Sequence, residues 1–207
     1  MKNTILATSL LMMFITSGAL AQEAGLKGGL NFSNLYVNDV DDENMKIGFN
    51  AGVYYKAQLT DVLAIQPEIL YSLKGAEVIY DNTFLGIGNG KYRFNLSYVD
   101  VPVALKISPV GNFYIEAGPY VSLLTSAKVK RIDSNGDKEV VDELDRDNFN
   151  TVDYGIFGGV GFNFTGGSLG VRYNYGLQEI GESGSNVAEA TPNSKNSVLQ
   201  IFMTLPF

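Results

Sequence analysis

The chain has 207 residues, a formal net charge of −7, and no Cys, His or Trp. The lack of Cys excludes disulfides and thiol chemistry. The lack of His as well excludes Ser-His and Cys-His catalytic pairs and most zinc sites. A net acidic chain argues against nucleic acid as a partner, because phosphate binding requires clustered Lys and Arg. We therefore expect a protein that is not an enzyme and that holds no cofactor or metal.

The first 21 residues have the features of a secretory signal peptide. Lys2 supplies the positive charge, residues 5–15 form a short apolar stretch, and Ala19-Leu20-Ala21 is a small-x-small cleavage site. The apolar stretch is shorter than the roughly 20 residues that a membrane-spanning helix needs. We predict cleavage between Ala21 and Gln22, which leaves residues 22–207 as a single β-barrel domain.

Eight segments of the mature chain alternate apolar and polar residues with the period of 2 that is typical of strands. The clearest is the last, in which the apolar positions run to the final aromatic residue: Leu199, Ile201, Met203, Leu205 and Phe207. No segment has a convincing helical period. The eight segments lie at 25–35, 46–59, 63–74, 95–107, 113–127, 152–164, 169–177 and 197–207.

The connections between these segments alternate in length. Short turns lie at 60–62, 108–112 and 165–168, and long loops lie at 36–45, 75–94, 128–151 and 178–196. Sixteen of the 22 acidic residues fall in the long loops. Short periplasmic turns and long extracellular loops are typical of outer-membrane barrels. The pattern predicts an all-β fold, an eight-stranded antiparallel up-and-down transmembrane β-barrel.

A soluble barrel shares this period, but three features favour a membrane barrel. The apolar face carries no charge on any segment, as a bilayer requires. The polar face mixes charged residues with Gly, which suits a narrow lumen. The apolar face also carries aromatic residues towards the segment ends, as interfacial girdles do: Phe32, Phe49, Tyr71, Phe113, Tyr154, Phe162, Phe164, Tyr175 and Phe207.

The charged residues of the polar face are the candidate site. One interpretation is a gate or a narrow ion path. The other, which we favour, is a structural ion-pair network, because buried charges must be paired and eight strands leave an interior that side chains fill. The candidate residues are Lys56, Glu68, Asp100, Lys106, Glu116 and Arg172.

The loop at 128–151 contains Asn135-Gly136 between two β-prone runs, a strong hairpin signal. We predict that the fifth and sixth strands continue beyond the membrane as this hairpin. Asp133, Asn135 and Asp137 also resemble the start of a calcium loop. Lys138 stands where such a loop needs Gly, and this favours a solvated turn.

Two motifs indicate a family. The stretch Tyr98-Val99-Asp100-Val101-Pro102-Val103-Ala104-Leu105-Lys106 and the later Glu116-Ala117-Gly118-Pro119 resemble the PorT-like outer-membrane β-barrel family of Bacteroidota. The resemblance implies an eight-stranded barrel in the outer membrane of a Gram-negative cell. Such a barrel contacts outer-membrane lipid and lipopolysaccharide. Its last strand, here ending at Phe207, is recognised by the barrel-assembly machinery.

These observations lead to one expected role and two alternatives. We expect an envelope structural role, or contact with a ligand or an unidentified envelope protein through the four long acidic loops. The first alternative is a narrow pore, although open porins use 16–18 strands. The second is an accessory component of a secretion machinery, which rests on the PorT-like resemblance.

Overall fold

The computed structural model describes residues 22–36, 45–75, 77–80, 90–132, 138–142, 149–181 and 194–207. These residues contain no helix that is long and apolar enough to cross a membrane. Two short strands are β4 (Glu77–Tyr80) and β7 (Lys138–Asp142). The eight long strands are β1 (Gln22–Tyr36), β2 (Lys46–Gln58), β3 (Leu63–Lys74), β5 (Gly90–Val110), β6 (Phe113–Ile132), β8 (Val152–Phe164), β9 (Gly167–Glu179) and β10 (Lys195–Pro206).

The eight long strands form a closed antiparallel barrel. Strand β1 pairs with β2 on one side and with β10 on the other, where the register runs from Gly25 opposite Pro206 to Tyr36 opposite Lys195. The Phe207 N–H extends this seam by donating to Ala24 O at 2.9 Å. Strand β10 also pairs with β9. The predicted eight-stranded fold and the predicted closure by the final strand are confirmed.

The two ends of the barrel differ. The turns at residues 59–62, 111–112 and 165–166 lie at one end, together with Gln22 and Phe207. We call this the turn end and the opposite one the loop end. In outer-membrane barrels the short turns are periplasmic and the longer loops are extracellular.

The outer face is apolar. Exposed Val, Ile and Leu side chains line every long strand, as in Val53, Ile69 and Ile201, which are 46%, 56% and 46% exposed. At positions 22–34, 45–75, 95–128, 149–181 and 194–207, the exposed charged residues are Asp61, in a turn, and Lys128 and Glu179, towards the loop end. The predicted apolar face is therefore the outer one, as lipid contact requires.

Exposed aromatic side chains gather near both ends of this face. At the turn end, the rings of Phe113 and Phe162 meet edge to face with centroids 5.1 Å apart. At the loop end, the Phe49 and Tyr71 centroids are 6.4 Å apart. Two such bands are the girdles that a membrane barrel presents to the bilayer interfaces. The other exposed aromatic residues are Tyr154, Phe164, Tyr173 and Phe207.

Strands β5 and β6 are longer than a membrane requires. They contain 21 and 20 residues, whereas a spanning strand needs about 9–11. Their pairing reaches Lys91 opposite Ile132, and β4 and β7 flank them there. The result is a four-stranded sheet in the order β4-β5-β6-β7 that continues past the barrel, which we call the loop-end sheet. The predicted hairpin is confirmed for the β6–β7 pair, which flanks Asn135-Gly136, and residues 143–148, between β7 and β8, lie outside the described residues.

The interpretation of residues 75–94 as a loop was wrong at 77–80 and 90–94, which are strand residues. Strand β4 pairs with the first residues of β5 as a continuation of β3. The break between β3 and β4 lies at Gly75, whose φ of 135° suits Gly alone. This break, and the mixed charged and aromatic residues of β5 at Lys91-Tyr92-Arg93-Phe94, conceal the alternation in the sequence.

The seam between β1 and β10 yields a test of the close strand packing. A Cβ on Gly29 would lie 2.2 Å from Ile201 O and 2.7 Å from the Phe202 Cα, whereas a Cβ on Gly28 meets nothing closer than 3.6 Å. Gly29→Ala should lower the free energy of unfolding by about 1–3 kcal/mol, because the backbone of β10 must move.

Urea unfolding in lipid vesicles measures this change, with Gly28→Ala as the control on the outer face of the same strand. Gly28→Ala should leave stability unchanged or slightly higher. Equal unfolding midpoints for the two variants would contradict the seam geometry.

Candidate functional site: the charged lumen

Among the residues that the structure describes, eight buried charged side chains line the lumen, four basic and four acidic. All are at most 6% exposed. They lie at two levels along the barrel and form two clusters. The eight residues are Lys27, Glu68, Lys74, Asp100, Lys106, Glu116, Asp153 and Arg172.

The first cluster, which we call the lower cluster, is centred on Arg172 and also contains Lys27, Glu68, Lys106 and Glu116. Arg172 Nη1 and Nη2 donate to the two carboxylate oxygens of Glu68 at 3.0 and 2.9 Å. Arg172 Nε donates to Glu116 Oε1 at 2.7 Å. Lys27 Nζ donates to both Glu68 oxygens at 3.0 and 2.8 Å. Bidentate, charge-assisted hydrogen bonds of this kind are the strong ones.

Aromatic rings pack against the cations of the lower cluster. Lys27 Nζ lies 3.7 Å from the centroid of Phe202, and Arg172 Cζ lies 4.0 Å from that of Phe157. Glycines make room for the rings, since a Cβ on Gly170 would be 2.5 Å from the Phe202 ring. The mixture of charge and Gly in the sequence therefore reflects rings that cross the lumen as well as long charged side chains.

The second cluster, which we call the upper cluster, lies nearer the loop end and contains Lys74, Asp100 and Asp153. Lys74 Nζ donates to Asp100 Oδ1 at 2.8 Å and to Ser122 Oγ at 3.1 Å. Asn196 Nδ2 donates to Asp153 Oδ2 at 2.9 Å. The Tyr98 and Tyr120 rings lie 4.8 and 5.2 Å from Lys74 Nζ.

Little space remains between the two clusters. A cavity of about 10 Å³ lies there, bordered by Lys74, Asp100 and Arg172. This volume is roughly what a single water molecule requires. Side chains therefore fill the lumen at both levels, as expected for a barrel of eight strands.

The six candidate residues divide into three groups. Glu68, Lys106, Glu116 and Arg172 meet in the lower cluster, and Lys106 Nζ lies 3.7 Å from Glu116 Oε2. Asp100 belongs to the upper cluster. Lys56 lies at the turn end and pairs with Glu23 at 3.7 Å, with side chains 28% and 41% exposed.

The candidate set also omitted Lys27, Lys74 and Asp153. The sequence does place all three on the polar face, so the alternation could have found them. What it does not show is which residues of that face stand at the same height in the barrel.

Metal binding finds no support in the described part of the chain, which holds no group of three or more Asp and Glu residues placed to share an ion. The calcium-like residues Asp133, Asn135 and Asp137 lie outside the described residues. The predicted signal peptide at 1–21 also lies outside them.

Removal of Arg172 tests the lower cluster. Arg172→Gln should lower the free energy of unfolding by about 3–5 kcal/mol, because Glu68 and Glu116 lose a cation while they stay buried. Lys56→Gln is the matched control, since it removes a partly exposed cation and should cost less than about 1 kcal/mol. Urea unfolding in vesicles measures both. Similar midpoints for the two variants would show that the cluster is not stabilising.

Comparison with known proteins supports the same architecture. No curated protein matches the chain in sequence. The solved structures that share its fold include two bacterial surface proteins. Ail, the attachment invasion locus protein of Yersinia pestis, crystallised with the heparin analogue sucrose octasulfate, is 12% identical with a TM-score of 0.50. Neisserial surface protein A is 12% identical with a TM-score of 0.52. Each comparison covers 90% of this chain and 99% of the other.

The family assignment rests on the sequence match rather than on these distant structures. Residues 20–181 match the family described as outer membrane protein beta-barrel domain. This range contains seven of the eight barrel strands and every residue of both charged clusters. The protein is an outer-membrane β-barrel, and it belongs to the outer membrane protein beta-barrel domain family.

Proposed function

We propose that this protein is a non-enzymatic outer-membrane barrel that presents its loop-end sheet and long acidic loops for contact with a ligand or an envelope partner. The observation that carries the proposal is the contrast between the lumen of the barrel and its loop end. The lumen is filled by buried ion pairs, whereas β5 and β6 continue about ten residues past the length that a membrane requires. The chain therefore builds structure outside the membrane rather than an open path through it.

A narrow pore is the less favoured alternative. The charged lumen favours a pore, because ions need polar groups along their path. Against it, Arg172 and Glu68 are each 1% exposed and hold each other by two hydrogen bonds. A path through the lumen would require these contacts to break.

Assembly and lipid contact follow from the outer face. We propose that the signal peptide is removed, that the turn end faces the periplasm, and that the barrel-assembly machinery recognises β10 with its terminal Phe207. In support, Phe207 is 85% exposed and lies beside the closing seam. The apolar belt fits outer-membrane lipid, and the loop end fits lipopolysaccharide.

The PorT-like resemblance supports the second alternative, an accessory component of a secretion machinery. The polar residues of its motifs point into the lumen, where Asp100 joins the upper cluster and Lys106 faces Glu116 in the lower one. The motifs therefore encode the packing of the interior. We propose PorT-like membership because these motif residues have a structural role in the lumen. The motifs themselves identify no secretion partner.

Photo-crosslinking in living cells tests the proposed contact. A photoreactive residue replaces Lys128, which is exposed towards the loop end, or Asp61, which is exposed in a turn. We expect adducts with an envelope component from position 128 and none from position 61. The chain has no Cys, so Lys128→Cys and Asp61→Cys report cleanly on surface accessibility through an impermeant maleimide.

The two positions separate the hypotheses. Adducts from position 61 alone would contradict the surface role and favour a periplasmic accessory role. If neither position gives an adduct, a stable protein partner at both sites is excluded. Lipid is then the remaining contact of the loop end.

A further inference from the structure

A second, wider cavity lies in the barrel at the turn end. It has a volume of about 310 Å³, within the range of small-ligand sites. Polar side chains form most of its lining, including Glu23, Lys56, Gln66, Lys106, Ser168 and Thr204. Glu23 and Lys56 are partly exposed, so the cavity is accessible from this end. The lower cluster forms its inner limit through Lys106.

The lower cluster carries one positive charge in excess. It has three cations, Lys27, Lys106 and Arg172, and two carboxylates. Glu68 is held by both Lys27 and Arg172, and Glu116 accepts a hydrogen bond from Arg172 Nε at 2.7 Å. Lys106 therefore meets a carboxylate that already has a closer cation.

Lys106 is the least satisfied cation of the cluster. Its ammonium lies 3.7 Å from Glu116 Oε2 and 4.2 Å from the centroid of Tyr114. It donates no hydrogen bond to a residue that the structure describes, although it is only 6% exposed. Burial of a cation is costly unless an opposite charge and hydrogen bonds compensate it.

The rest of the cavity does not cancel this charge. Lys56 adds a second cation and Glu23 one carboxylate, so the charged lining is positive by one. The hydroxyls of Ser168 and Thr204 share a hydrogen bond of 2.6 Å and line the same space, so the hydroxyl that accepts in this bond can donate to an oxyanion. The upper cluster has the opposite excess, but it lies on the far side of Arg172.

We propose that this turn-end cavity binds a small organic anion through its phosphate or carboxylate group. Lys106 receives the anionic group, Lys56 attracts it at the mouth, and one hydroxyl of the Ser168–Thr204 pair donates to it. The anion enters from the periplasmic side, at the opposite end from the loop-end sheet. The site is therefore independent of the surface contact proposed above.

Nuclear magnetic resonance of the folded barrel in detergent micelles tests the site, with inorganic phosphate as the probe and potassium chloride at equal ionic strength as the control. Phosphate should shift the backbone amide signals of Ser168 and Thr204 in a saturable manner. Lys106→Gln should weaken binding at least tenfold. Lys128→Gln removes an exposed cation at the other end and should leave binding unchanged.

Three outcomes would overturn the proposal. They are shifts that do not saturate, equal shifts with chloride, and a Lys106→Gln variant that binds phosphate as the wild type does. Lys106→Arg keeps the charge and should retain binding, and this guards against a folding defect in Lys106→Gln. If neither variant folds, the positions of the amide signals that phosphate shifts in the wild type test the site. Shifts confined to the loop end would contradict it.

Discussion

Arg172 is the residue on which the interior of this barrel depends. Its guanidinium, on β9, donates two hydrogen bonds to Glu68 on β3 and one to Glu116 on β6. Lys27 on β1 is a second cation paired with Glu68. Four strands from different parts of the wall are thus joined across the lumen. The contact between Glu68 and Arg172 spans 104 residues of sequence, so it joins strands that are far apart in the chain.

Such a network fixes the arrangement of the strands more than it adds stability. Desolvation of buried ions offsets most of their attraction, but loss of one partner leaves the other charge buried and unpaired. A strand shifted by two residues would keep its apolar face towards lipid and yet separate these charges. The clusters therefore select one register among those that the alternation alone allows. Tyr114, Phe157 and Phe202 then fill the space that the inward glycines leave.

The alternation predicted much of this structure. The period of 2 identified the eight strands and the face that each residue occupies, because adjacent side chains point to opposite sides of a sheet. The short turns indicated which strands pair. What alternation cannot supply is height in the barrel, which depends on strand tilt and stagger. Lys56 and Lys106 share the polar face, but only Lys106 reaches Glu116.

The loop end shows a second limit of the sequence pattern. Outside the membrane, no lipid demands an apolar face, and the alternation of β4 and of the first residues of β5 weakens accordingly. The Asn-Gly turn still predicted the β6–β7 hairpin, because turn chemistry is local. The β4–β5 pair also has an Asn-Gly, at Asn89-Gly90, but it ends a Gly-rich run that begins at Gly86 and does not lie between two β-prone runs. The turn-end cavity was also missed, since a cavity depends on how several strands diverge.

Two charged clusters close the lumen of this barrel. Planar-bilayer recording of the refolded barrel tests this closure most directly, with a 16-stranded porin as the positive control for insertion and recording. The wild type should give no discrete single-channel steps. Reproducible steps of fixed size from the wild type, abolished or altered by Arg172→Ala, would contradict a closed lumen and establish the ion pairs as a gate.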